Sequence, residues 1–183
     1  MIKLGISLFF LLGIIGIIFS LIFKSKILSM IKQEGRLVKV LQKNSWFKSP
    51  YSSGIVLFLW NTLMTSIVAF FIFILILTKV DILYLHLAIF VLGTLMSIWV
   101  WSTFNIAWVG SKKNQIKMAS IGSSFYALLG VYVLYQYLTL KPSYPGDDLF
   151  MAALGLMAVF VLAVVGLLTC FVFTGFQKKQ PLH

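Results

Sequence analysis

Long apolar runs separated by short polar segments set the pattern of this chain. Residues 4–23 form an apolar run broken only by Ser7 and Ser20, and further runs cover about 54–77, 82–109, 118–140 and 149–176. A helix needs roughly 20 apolar residues to cross the hydrocarbon core of a bilayer, and every run reaches that length. Lipid offers no partner for backbone N–H and C=O groups, so each run is predicted to form a helix that satisfies them internally. The expected fold class is an all-α membrane protein with five transmembrane helices, residues 1–183 making one polytopic membrane domain. The first run has only Lys3 before it, is too long for a signal-peptide core and ends in Lys24 and Lys26, so it reads as an uncleaved span.

The one long polar stretch runs from Lys24 to Lys48. It carries Lys24, Lys26, Lys32, Arg36, Lys39, Lys43 and Lys48 against a single acid, Glu34. At about 100° per residue, Lys32, Arg36, Lys39 and Lys43 fall within an arc of about 60°. Ile27, Met30, Ile31, Leu37, Val38 and Leu41 lie opposite them. This predicts a basic amphipathic surface helix at about 25–43, its apolar face in the headgroup region and its basic stripe facing lipid phosphate or a partner. Asn44 to Gly54 then breaks the helix, with Trp46 and Tyr51 placed as interfacial anchors.

Charge orients the spans. Twelve basic residues fall in the segments 24–48 and 111–118 and in the tail, whereas Lys3, Lys79 and Lys141 fall in the opposite set with Asp81, Asp147 and Asp148. The positive-inside rule puts the N-terminus outside and the C-terminus in the cytoplasm. The net charge of +11 reflects those loops, so no nucleic-acid partner is expected. With 61% apolar and 10% charged residues, the composition excludes an ordinary soluble domain. Fourteen of the fifteen bases are lysine, a bias that accompanies AT-rich genomes and points to a bacterial cell membrane.

Candidate chemistry is sparse. No span interior holds Asp, Glu, Lys or Arg, which argues against a pump or proton-coupled carrier. His86, Thr94, Ser97, Trp101 and Asn105 fall on one face of the third span, and Asn61 and Thr65 sit at matching depth on the second. This intramembrane polar seam is either a solute path or interhelical hydrogen-bonding glue, and glue is the expectation. His86 near the outer boundary has a side chain that titrates near neutrality, but a structural role is expected of it. Trp108 fits the aromatic belt, with Trp99 and Trp101 deeper. Asp147 and Asp148 are placed to cap the fifth span. Ala152, Gly155, Val159, Ala163, Gly166 and Cys170 form a smooth face on that span for close packing. The lone cysteine, Cys170, has no base near it in sequence and no metal-ligand spacing around it.

No catalytic constellation, cofactor motif or metal motif emerges. The expectation is a small non-enzymatic integral membrane protein acting through protein or lipid contacts, of an accessory, regulatory or immunity type. Anionic lipid of the cytoplasmic leaflet, a membrane-protein partner or a second copy are the expected contacts. The alternative is a channel or carrier for a small neutral solute. A membrane hydrolase built from Asp81, His86, Asp147 and Asp148 ranks third.

Overall fold

A computed structural model describes residues 15, 18–19, 22–29, 35–78, 83–142 and 149–176. All regular structure among the described residues is helical. Residues 22–29 are helical, and then come α1 (Arg36–Lys43), a single 3₁₀ turn (Ser45–Lys48), α2 (Pro50–Leu77), α3 (Leu83–Ala107), α4 (Lys112–Leu138) and α5 (Phe150–Gly175). Helices α2 to α5 contain four segments long and apolar enough to cross a membrane, as a multi-pass membrane protein requires. The first predicted span lies mostly outside the described residues, as do Lys32, Asp81, Asp147 and Asp148.

Local chemistry explains where the helices begin and end. Pro50 opens α2 at a first-turn position, where its missing N–H costs no helical hydrogen bond. Helix α4 starts at Lys112, well before the predicted 118, because Ser111 caps it: the Ser111 Oγ accepts from the Asn114 N–H at 3.4 Å. At about 1.5 Å per residue, these four helices run about 38–42 Å, longer than the hydrocarbon core is thick.

The single helix predicted over 25–43 is not found as such. Gly35 stands in an extended conformation, with φ −55° and ψ 139°, so helix does not run unbroken over 25–43. Glycine has the weakest helix propensity after proline, and it interrupts the stripe just where the wheel assumed continuity. Only Arg36, Lys39 and Lys43 share α1, and all three are exposed. Part of the apolar side of α1 packs on the other helices. Val38 is buried and Leu41 packs beside it against the bundle, while Leu37 and Val40 stay half exposed.

Helix α4 is central, with its most extensive contacts to α5 and α2, while α3 meets both α2 and α5. The tight core lies at one end of the bundle. It takes Ser53, Gly54, Leu57 and Asn61 from the first half of α2, and residues from Ser97 to Ala107 in the second half of α3. Gln115, Met118, Ala119, Gly122 and Ser123 come from the first half of α4, and Thr169, Cys170, Phe173 and Thr174 from the end of α5. Neighbouring spans therefore alternate in direction. Towards the opposite end, α2 and α3 expose Phe70, Phe71, Phe73, Ile76, Phe90, Leu92 and Leu95.

Small residues permit this density. Lipid tails are as apolar as leucine, so close van der Waals packing, with no hydrophobic drive behind it, holds helices together. Leu57 is fully buried against Gly122, where an added Cβ would lie only 2.2 Å from Leu57 Cδ2. No alanine fits there without separating α2 from α4.

Candidate functional site

The buried end of the bundle carries two polar arrangements. The first centres on Asn61, which is fully buried. Its Oδ1 accepts from the Trp101 Nε1–H at 2.8 Å, and its Nδ2 donates to the Gly122 carbonyl at 2.9 Å. The same nitrogen lies 3.5 Å from Cys170 Sγ. One amide thus joins α2, α3, α4 and α5. Trp101 also meets Tyr126 edge-on at 6.1 Å, and the Thr65 hydroxyl is a hydrogen-bond partner of Tyr126.

The second arrangement closes the C-terminus of α5. A helix leaves its last four carbonyls without intrahelical partners, and in a membrane protein those groups need donors. Asn105 Nδ2 donates to Phe173 O at 2.6 Å and Phe176 O at 3.0 Å, with Thr174 O at 3.4 Å. Gln115 Nε2 donates to Thr174 O at 2.8 Å. Lys24 Nζ reaches Val172 O and Phe176 O, each at 2.6 Å, and stands 5.5 Å from the centre of the Phe176 ring. Its positive charge complements the negative end of the helix dipole. Burial nevertheless pulls the Lys24 ammonium down from 10.5 to about 8.

The predicted seam is therefore only partly a unit. Asn61 and Trp101 meet directly, Thr65 lies beside them at Tyr126, and Asn105 serves the end of α5 instead. The hydroxyls of Ser97 and Thr94 bond to Gly93 O and Phe90 O one turn back on their own helix, and Thr94 is exposed. His86 is half-buried. Ser102 Oγ and Gln115 Oε1 are buried and have no hydrogen-bond partner among the described residues.

Sequence reasoning passed over Gln115 and Lys24. The signal for Gln115 was present: Gln115, Met118, Ala119, Gly122 and Ser123 follow the i, i+3, i+4, i+7, i+8 spacing of one buried helical face. Lys24 looked like another loop charge, and nothing in its spacing to residue 176 could reveal the pairing. The smooth face of α5 is used in part. Ala163 and Cys170 are buried and Gly166 abuts the Tyr126 ring, whereas Gly155 faces open space.

Basic side chains surround this end. Lys26, Arg36, Lys39, Lys43, Lys48, Lys112, Lys113 and Lys117 are all exposed. Trp108 is not a belt residue: it is buried, its ring 5.8 Å from that of Phe47, and its Nε1–H donates to Ser111 O at 3.4 Å. Gly110 makes this possible, since a Cβ there would stand 2.7 Å from the rigid indole. Among the described residues, no group of three or more His, Cys, Asp or Glu side chains is placed to hold a metal ion. No family model, curated protein or solved structure matches this chain.

Proposed function

We propose that this chain is a small non-enzymatic integral membrane protein that acts through its surfaces, as an accessory, regulatory or immunity-type component of a bacterial cell membrane. In this reading it has five spans, with the N-terminus outside and the C-terminus cytoplasmic. The observation that carries the proposal is the use of Asn61, Trp101 and Asn105 as interhelical ties. Groups committed to holding four helices together are poor candidates for binding a passing solute. What remains outward is a cationic end and a broad apolar flank, chemistry suited to lipid and to other membrane proteins. Purifying the tagged chain gently from native membranes and identifying bound proteins and lipids tests this. A stoichiometric partner or retained anionic lipid supports the proposal, and a solitary chain that conducts a solute defeats it.

The solute reading stays as the alternative because Ser102 Oγ and Gln115 Oε1 are buried and have no hydrogen-bond partner among the described residues. A polar guest that donates hydrogen bonds would satisfy them. If that reading is right, Ser102→Ala with Gln115→Leu abolishes flux through proteoliposomes containing folded protein.

A further inference from the structure

We propose that anionic lipid is recognised by a preassembled cationic surface, built jointly by α1 and the first turns of α4 and set by the buried aromatic cluster between them. The proposal rests on the contact-based reading above and deepens it by naming the contact.

The two basic elements share one support. Helix α1 is fastened by Val38, which is buried, and by Leu41. The 3₁₀ turn behind it drives Phe47 into the same cluster, edge-on to Phe104 at 5.4 Å and to Trp108 at 5.8 Å. On its other side Trp108 donates to Ser111 O, the residue that caps α4. The helix bearing Arg36, Lys39 and Lys43 and the helix bearing Lys112, Lys113 and Lys117 are thus both tied to the cluster that holds Trp108. All six are exposed.

Charge and position point to phospholipid as the occupant. Lys112 and Lys113 open α4 although the positive end of a helix dipole disfavours cations, and the first turn holds no acid to offset them. An anion at this surface relieves that repulsion. Exposed apolar side chains stand among the charges: Leu37, Val40 and Tyr51 are about half exposed and Val109 is 80% exposed. Tyr51 stands in the first turn of α2, Val109 just past the end of α3, and Leu37 and Val40 on α1. A surface alternating lysine with exposed Val, Leu and Tyr suits the headgroup–acyl boundary. A soluble acidic protein would match the charges but leave those apolar groups in water.

Preassembly separates this from a free helix adsorbing by charge. Lipid preference should then depend on docking as well as on charge. The full chain is placed in phosphatidylcholine nanodiscs with a minor fraction of dansyl-phosphatidylglycerol, and enrichment of the anionic lipid is read by tryptophan-to-dansyl transfer and by native mass spectrometry. Lys39→Gln with Lys43→Gln, and separately Lys112→Gln with Lys113→Gln, are each expected to lower the enrichment severalfold. Val38→Ala with Phe47→Leu keeps every charge and is expected to lower it comparably, with protease resistance of α2 to α5 showing that the bundle is intact. Full enrichment in that docking variant overturns preassembly while leaving the electrostatic contact standing. Full enrichment in the Lys112 and Lys113 variant removes α4 from the surface and overturns the joint site. Equal retention of both lipids by the unaltered chain defeats lipid recognition itself and turns the basic end towards an acidic protein.

Discussion

Replacing Asn61 with Leu removes a side chain that ties α2 to α3, α4 and α5. The Trp101 N–H, buried and 2.8 Å from its acceptor, would lose its partner. A buried donor left unsatisfied costs about 1–3 kcal/mol, and interhelical hydrogen bonds in membranes contribute about 0.6 kcal/mol on average, with a maximum near 1.7. Asn61→Leu is therefore expected to destabilise the bundle by about 1–3 kcal/mol. The cleaner quantity is the coupling with Trp101→Phe, which removes the donor and keeps an aromatic ring. A double-mutant cycle, read by reversible unfolding in mixed lipid–SDS micelles, should give about 0.6–1.7 kcal/mol. The reasoning fails if the coupling is under about 0.3 kcal/mol, the level at which independent sites already add.

Asn105→Leu and Ser97→Ala, neighbours on the helical wheel, are expected to behave differently. The first strips donors from Phe173 O and Phe176 O and should cost about 1–3 kcal/mol, whereas the second loses only a bond within its own helix and should stay under about 0.5 in the same unfolding assay. Gly122→Ala should destabilise by about 1–3 kcal/mol through overpacking against Leu57, and Leu57→Ala should partly rescue it. Lys24 binds its proton less tightly in the folded chain, near 8 against 10.5. The unfolded chain then holds more protons between those values, so stability should rise as pH climbs from about 8 to 10.5. Lys24→Met should flatten that rise, and an unchanged slope would separate Lys24 from the effect.

The four described membrane helices were legible because length and apolarity alone define them, and their ends fell within a few residues of expectation except at α4. There the lysine-rich segment 111–117 looked like a loop, and only the Ser111 cap and the buried face beginning at Gln115 reveal a helix. Gly35 has low helix propensity, but a wheel drawn through Lys32, Arg36, Lys39 and Lys43 assumes unbroken helix and takes no account of it. The reading of Asn61 as glue followed from the cost of a buried amide in lipid, although its partner could not be named. Pairings such as Lys24 with Phe176 or Asn105 with Phe173 join residues far apart in sequence. They depend on where helix ends meet in space, a property that no local spacing encodes. The docking of Val38 was hidden for the same reason: an apolar stripe fits a bundle as well as a bilayer.

The most direct test of the central claim is native mass spectrometry of the intact chain, released from its own membrane into nanodiscs without detergent. Action through surface contacts predicts a retained membrane protein in fixed ratio or bound anionic phospholipid, lost when Arg36, Lys39 and Lys43 become glutamine. A chain that carries neither, and that passes a neutral solute in proteoliposomes by a route blocked at Ser102 and Gln115, would contradict it.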